Sequence, residues 1–407
     1  MRVLISGAGI AGPALAWWLA RYGVHAVVVE RSADLRVGGH AIDIRGVALD
    51  VIEHMGVIDE VRRAKTQLRT LSFVRGTGKA TVDIPITRAM EGRRDLEIVR
   101  DDLSRILYEA SRQDAEYIFG DAVAKLDQSG SDVKVTFESG ATRSFDVVVG
   151  ADGQHSVTRR LAFGPESTFT RRFGAYLSIF GIPNLFDLED RALLYNEPGL
   201  AAATYSTVGN RSAKALLCLR STRPYEELRE EAAQKHLLNE AFRNAGWQSR
   251  RLLDALATCS DFYFDEIAQI HMPHWSEGRV VLLGDAAHGP SPLSGQGTSL
   301  ALVGALVLAD ALVAHPQPSA AFSAYEQHMR PFVRENQELA NFGLRALIPN
   351  SMFFIHVRNM FARAMPLLMR LGVRMDNKIQ RAAHATQLPA IRPAAAVPAA
   401  YGHSMIT

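Results

Sequence analysis

An α/β fold is what this 407-residue sequence predicts: a parallel-sheet domain, a second β-sheet domain inserted into it, and helices at the C-terminal end. Three observations lead there. A strand-like run, a glycine turn and a helical run follow one another between Arg2 and Ala20. A series of β segments from about Ser167 to Ile270 separates that unit from a further buried-type strand, Arg279-Val280-Val281-Leu282-Leu283. Beyond Ser319 the pattern is mostly helical to about Ala385.

Val3-Leu4-Ile5 is apolar and partly β-branched, as a strand covered on both faces would be. Gly7-Ala8-Gly9-Ile10-Ala11-Gly12 follows at once, and Pro13 opens a helix over Ala14–Ala20. A first-turn proline loses no hydrogen bond there. Gly23 ends the helix, and Val27-Val28-Val29 forms a second strand closed by Glu30 and followed by Arg31. This is the Rossmann-like context that a dinucleotide-binding GxGxxG turn requires. Gly7 permits the tight turn, Gly9 lets the backbone approach a diphosphate, and Gly12 lets the helix pack on the strand. The helix start offers unpaired N–H groups and partial positive charge. Glu30 can accept hydrogen bonds from adenosine ribose hydroxyls and would repel a 2′-phosphate, so the bound dinucleotide is FAD or NAD rather than NADP.

A glycine-containing loop, Val37-Gly38-Gly39-His40, leads into Ala41–Gly46, and a helical stretch is expected from about Val47 to Lys65. Thr70–Arg75 and Ala80–Ile84 read as a hairpin around Thr77-Gly78. Leu96–Arg100 precedes a helix expected to be capped by Asp101 or Asp102. Strands are expected at Val123–Leu126, Val133–Phe137 and Asp146–Gly150, then at Ala175–Ile182, Arg191–Tyr195, Ala202–Thr207 and Ala213–Arg220. Helices follow near Glu226–Asn244 and Ser249–Ala257. The expected division gives 1–69, 96–166 and 275–325 to the dinucleotide domain and 70–95 and 167–274 to a substrate domain. Residues 326–388 form a C-terminal helical region, and the Pro/Ala-rich stretch 389–407 is expected to be disordered.

A net charge of +2 argues against a nucleic-acid partner. Cys218 and Cys259 have neither disulfide-framework nor metal-site spacing, so no metal is expected. The run Leu300–Leu308 is too short to span a bilayer, and a strand starting at Arg2 leaves no room for a leader. The expectation is a soluble, cytoplasmic monomer without an integral membrane segment.

Two downstream motifs complete the pattern. Asp152-Gly153-Gln154-His155-Ser156-Val157-Thr158-Arg159 follows the strand ending at Gly150. Gly284-Asp285-Ala286-Ala287-His288 follows the strand at Arg279–Leu283, and Pro292 and Gly295-Gln296-Gly297 come next. A nicotinamide-only domain has no use for an acidic Gly-Asp turn that returns to the same cofactor, so the pair selects FAD. Asp285, at the end of a buried strand, can accept hydrogen bonds from ribityl hydroxyls, and Gly295 and Gly297 let backbone N–H groups approach a flat ring. The helix from about Thr298 would point its positive end at that ring. His288 could be a base, but a structural role is the favoured reading.

In this order the three motifs resemble those of the class A flavoprotein monooxygenases, with the para-hydroxybenzoate hydroxylase-like fold, up to about residue 330. Closer still, the chain resembles the tetracycline destructases and aromatic-polyketide hydroxylases. Gly39–Gly46, Glu97–Arg100, Ile179–Asn184, Asp261–Asp265 and Ser291–Gly297 carry that likeness, as does a C-terminal helical region. The resemblance implies a Rossmann-like FAD-binding domain with an inserted β-sheet substrate domain and C-terminal helices. As FAD contacts it implies Gly7, Gly9, Ile10, Ala11, Gly12, Glu30, Arg31, Arg45, Arg100, Asp152, Gly284, Asp285, Pro292, Gly295, Gln296 and Gly297. Arg45 fits the cofactor or the substrate, and Phe180 and Pro292 are candidates for the wall above the flavin.

The implied chemistry has NADPH or NADH, a transient reductant, reduce FAD. O2 then gives a C4a-hydroperoxide whose terminal oxygen passes to a phenolic or enolic carbon. The flavin carries the reaction, so no catalytic side chain is required. The implied partners are O2 and a small aromatic or polycyclic substrate, such as a tetracycline. An antibiotic-tailoring hydroxylase and a non-catalytic antibiotic binder stay open. A flavin halogenase would need a Trp-x-Trp-x-Ile-Pro segment, which the sequence lacks. The Met- and Phe-rich stretch Met352–Met369 is read as a core-packed helix, ahead of a substrate cap or partner contact.

Overall fold

The computed structural model describes residues 1–35, 39–86, 94–207, 209–370 and 378–393, the side chains of 365–370 excepted. Its first sheet has six strands, with Arg2–Ser6 between Val147–Gly150 and His25–Glu30. Glu116–Phe119 lies outside His25–Glu30, and Val280–Leu282 lies outside Val147–Gly150. These pairings are parallel, and Ser276–Glu277 closes the edge antiparallel. Alternation along the first strand sends Val3 and Ile5 to one face and Leu4 to the other. The Val3/Ile5 face is covered by the helices Ala11–Arg21 and Gly297–Ala314. The Leu4 face is covered by a three-stranded antiparallel sheet, Val123–Asp127, Val133–Phe137 and Thr142–Phe145. The Gly297–Ala314 helix is long and apolar enough to cross a membrane, and most of it is buried in this core.

Register positions the site. Ser6 pairs with Gly150, and Gly150 with Leu282. The three turns that follow, at Gly7, Ala151 and Leu283, therefore leave the sheet side by side at its carboxyl edge, where open α/β sheets bind ligands.

The second sheet has seven strands in the order Tyr263–Ile270, Thr170–Pro183, Ser212–Arg220, Leu200–Ser206, Arg191–Glu197, Thr70–Val74, Ala80–Pro85. Only the Arg191–Glu197 and Thr70–Val74 pair is parallel. Strands from residues 70–85 and 170–270 thus share one sheet. One face packs Tyr176 and Phe180 under the helices Glu231–Phe242 and Ser249–Thr258. The other turns Leu177 and Ile179 toward Leu293, Leu344 and Ile348. A small antiparallel pair, Ala41–Ile44 with Leu96–Val99, stands between the two sheets' segments in the sequence.

Several expectations need correction. The helix expected over 47–65 is two helices, Val47–His54 and Ile58–Ala64, because Gly56 adopts φ +76°, which glycine alone takes freely. Neither Asp101 nor Asp102 caps the next helix: Arg100–Ser111 starts after Val99, and Asp101 Oδ2 instead accepts the Gly39 N–H at 2.7 Å. The segment near Glu226–Asn244 is a 3₁₀ turn, Tyr225–Leu228, followed by Glu231–Phe242. Disorder from Pro389 is corrected for 389–393: Ile391 packs on the core, and Arg392 Nε donates to Asp310 Oδ1 at 2.6 Å. Residues 394–407 lie outside the described part. Met352–Arg370 is a helix, but Met352, Phe353, Phe354, Met360 and Phe361 are exposed rather than core-packed, and the side chains of Met365 and Met369 lie outside the described part.

Candidate active site

The three turns touch. A methyl group on Gly7 would lie 2.5 Å from Ala151 O, and one on Gly12 would lie 1.9 Å from Gly7 O. At Gly284 the nearest atom to such a methyl would be Ala11 Cβ, at 3.2 Å. Glycine is therefore sterically required at Gly7, where the first motif meets the Asp-Gly motif, and at Gly284 a φ of +64° and the close Ala11 methyl favour it. At Gly9 the methyl would meet only Arg100 Nη2, at 3.5 Å, so an open strip of backbone lies beneath that guanidinium. Ile10 precedes the helix and, with Ala11, presents its free N–H end. Glu30 Oε2 accepts from Ala8 N at 2.9 Å and Oε1 from Ser32 N at 3.1 Å. Those bonds fix the carboxylate against the glycine turn.

Asp285 begins the short Asp285–His288 helix and is solvent-accessible. Burial nonetheless raises its pKa, with Arg100 and Arg159 opposing and Asp265 reinforcing the rise. An accessible yet desolvated carboxylate is the mark of a group lining a deep cleft. Gly297 stands beside it, since a methyl there would be 3.6 Å from Asp285 Oδ1. Gly295, left-handed at φ +63°, faces Asp43 and Arg45, and Arg45 Nη2 pairs with Asp43 Oδ2 at 2.8 Å. Gln296 is fully buried, and neither its amide oxygen nor its amide nitrogen has a partner, nor does Arg45 Nε. Pro292 is exposed on the turn before Gly295, and its neighbour Leu293 packs on the Leu177/Ile179 face of the second sheet.

Three candidates have their side chains engaged elsewhere, although the Asp152 backbone lies at the junction, its Cα 3.0 Å from a methyl placed on Gly7. Asp152 accepts from Ser156 Oγ, from Thr158 N at 2.9 Å and from Thr158 Oγ1 at 3.0 Å, so its carboxylate is committed to the start of the Val157–Phe163 helix. Arg31, next to Glu30, is exposed, with Nη2 4.0 Å from Glu138 Oε1. Phe180 is wholly buried on the opposite face of its strand, against Leu237, Leu238 and Phe242. Period-two alternation puts it on the face away from the Leu293 turn, and Ile179 on the face toward that turn. His288 is buried, its pKa pushed down to about 3 by desolvation, and Nε2 meets Tyr325 Oη at 3.3 Å. That is a neutral core histidine.

Sequence reasoning missed two features. His40 and Tyr263 face each other with ring centres 5.6 Å apart, and desolvation, with the Arg100 and Lys214 charges, lowers His40 to about 4. Only the family-like segments Gly39–Gly46 and Asp261–Asp265 hinted at them. The second is a clamp between the sheets. His155 Nδ1 meets Glu166 Oε1 at 2.8 Å and Nε2 meets Asp265 Oδ1 at 3.0 Å, and Asp265 Oδ2 accepts from Tyr263 Oη at 3.0 Å. Gln154 Nε2 donates to Asp265 Oδ1 at 3.2 Å. Arg159, fully buried, donates to Ala286 O at 3.0 Å and so ties the Asp-Gly motif to the Gly-Asp motif.

A family model described as "FAD binding domain" matches residues 1–340. The chain belongs to this FAD-binding family. It is 37% identical over 393 residues to a flavin-dependent monooxygenase of an unknown prokaryotic organism, covering 95% of this chain and 98% of that one. It is 42% identical over 344 residues to an uncharacterized protein of Mycobacterium tuberculosis, covering 83% of this chain and 92% of the other. Among solved structures it superposes on tetracycline destructase Tet(55) with TM-score 0.82 at 36% identity, covering 95% of this chain and 98% of that one. The protein is a class A FAD monooxygenase by these relationships.

The residues of this FAD-binding protein fit the cofactor. The glycine strip under Arg100 suits a diphosphate, and Asp285 suits a polyol that donates hydrogen bonds. The unpartnered Gln296 amide, beside the left-handed Gly295, has a donor and an acceptor left for a ring edge that carries both.

Proposed function

We propose that this FAD monooxygenase takes electrons from NADPH or NADH and hydroxylates a phenolic or enolic polycyclic substrate, a tetracycline being the first to test. The observation that supports this is the near-complete overlap with a tetracycline destructase, which covers 95% of this chain. Bound FAD supplies the electron and oxygen-transfer chemistry. Gly7–Gly12 and Arg100 hold its diphosphate, and Glu30 takes the adenosine ribose. Asp285 holds the ribityl chain, and Pro292–Gly297 shapes the ring site. Arg45, paired with Asp43 beside Gly295, stands where the ring site meets the substrate.

The apolar row Ile179, Leu216 and Ala203 forms a dry floor facing the Leu293 turn. Excluding water there protects the oxygen-transfer step from unproductive decay. His40, Tyr205 and Tyr263 supply a polar rim, with Tyr205 Oη 3.4 Å from the Ala41 N–H. Neutral His40 and two phenols can accept from or donate to substrate hydroxyls without adding charge.

The test is NAD(P)H and O2 consumption by the FAD-loaded protein, with and without a tetracycline. The expected result is stimulated turnover with a product one oxygen heavier. Failure of both nicotinamides to reduce the flavin overturns the reading.

A further inference from the structure

We propose that the outward face of the Met352–Arg370 helix docks on an anionic lipid surface. Ten large apolar side chains are exposed among the described residues, and six of them fall in this helix: Met352, Phe353, Phe354, Val357, Met360 and Phe361. The other four are scattered singly through the sequence, as on any soluble surface. Phe353, Val357 and Met360 recur at helical spacing, as do Phe354 and Phe361, so together they make one stripe. Phe353 is 70% exposed and Met360 66%. A contiguous stripe of this kind marks an interaction site.

The inner side of the helix is fixed. Ile355 is buried, and Ala362 packs with the Phe73, Leu344 and Ile348 cluster. Arg358 Nη1 donates to Ala346 O at 2.7 Å and to Asn196 Oδ1 at 2.9 Å, with its guanidinium 4.4 Å from the Phe73 ring centre. Arg363 Nε donates to Thr81 O at 2.9 Å. Pinned on that side, the helix cannot roll its aromatic stripe inward.

Charge decides the occupant. From Leu339 to Arg370 the sequence has no Asp or Glu. His356 and Arg363, seven residues apart, lie along one edge of the stripe, and both are exposed. Arg345 is exposed near the end of the preceding helix. Asp83, exposed on the strand under this helix, accepts from Ser72 Oγ at 2.5 Å and is one acid against the two arginines Arg345 and Arg363. In a two-fold pair the same face meets itself, so this basic edge would face its own copy with no acid in the stripe to balance it. An anionic lipid surface neutralises the edge and receives the Phe and Met side chains at the acyl boundary.

The full-length, FAD-loaded protein is sedimented with vesicles of phosphatidylcholine alone and of phosphatidylcholine mixed equally with phosphatidylglycerol. The expected result is salt-sensitive binding to the mixed vesicles, on the order of ten-fold weaker on phosphatidylcholine alone. Binding should be lost in a Phe353→Ser, Met360→Ser double variant whose NAD(P)H consumption is unchanged. A Phe353→Trp variant should show a blue shift of its emission on the mixed vesicles, a reading that does not require the double variant to fold. Absence of both binding and the blue shift overturns the proposal. A dimer that the double variant dissociates, without vesicle binding, overturns it in favour of a second copy. Binding that appears only after residues 394–407 are removed overturns it in favour of the chain's own terminal segment.

Discussion

Asp285 joins two opposed demands in one side chain. Its pKa is raised chiefly by burial, so ionisation is disfavoured in the folded apoprotein. A carboxyl raised in the fold contributes its full stability below the usual carboxylate range and loses it as pH rises through the folded value. Asp285→Asn should therefore unfold at a higher temperature than wild type as apoprotein at neutral pH, and the two should converge in acid. The same change should weaken FAD binding by about ten-fold, near 1.5 kcal/mol, because the charge-assisted hydrogen bond becomes a neutral one. Thermal scans across pH and an FAD titration check the two halves separately. The sequence announced Asp285, because a Gly-Asp turn after a buried strand has a fixed place in the fold. It did not announce where Asp152 points. An Asp-Gly turn reads the same whether the carboxylate faces a ligand or accepts from Thr158 N, and only the local helix start decides.

The elements were more legible than their faces. Strand, turn and helix in the first motif follow from β-branched residues, glycine and Pro13, and the structure places them at Arg2–Ser6 and Ala11–Arg21. Alternation along Thr170–Pro183 was visible as well, yet which face meets the site depends on the helices Glu231–Phe242 and Ser249–Thr258. That information is non-local, which is why Phe180 was misplaced and Ile179 passed over. The clamp between the Asp-Gly loop and Tyr263–Ile270 was invisible for the same reason: its partners are separated by 110 positions. Burial alone would lower the His155 pKa, but the bonds to Asp265 and Glu166 prevail and hold it up at about 10. A histidine raised in the fold stabilises fully below its usual value of about 6.5, and that stabilisation fades as pH climbs toward 10. The wild-type advantage over His155→Gln in unfolding temperature should accordingly be largest near neutral pH and shrink by pH 10. A difference that stays constant across that range would mean that the imidazolium is not what holds the loop to the sheet.

On the scale of the whole molecule, the proposed function has one sheet position a dinucleotide by its carboxyl edge and a second present an apolar floor to it. Residues far apart in the sequence share this junction, Gly7 with Ala151 and Ala11 with Gly284. The order of motifs made that architecture readable, because each motif's physical role names the partner it must meet. The substrate was not readable in the same way, since His40, Tyr205 and Tyr263 gain meaning only once the two sheets face each other.

The central claim is that FAD held at this junction delivers one atom of O2 to a polycyclic substrate. Turnover of a tetracycline by the FAD-loaded protein under isotopically heavy O2, with product mass as the readout, tests it most directly. The account predicts a product carrying one heavy oxygen atom, and no label when the heavy isotope is supplied in water instead. Unchanged substrate beside accumulating hydrogen peroxide, or label drawn from water, would contradict it.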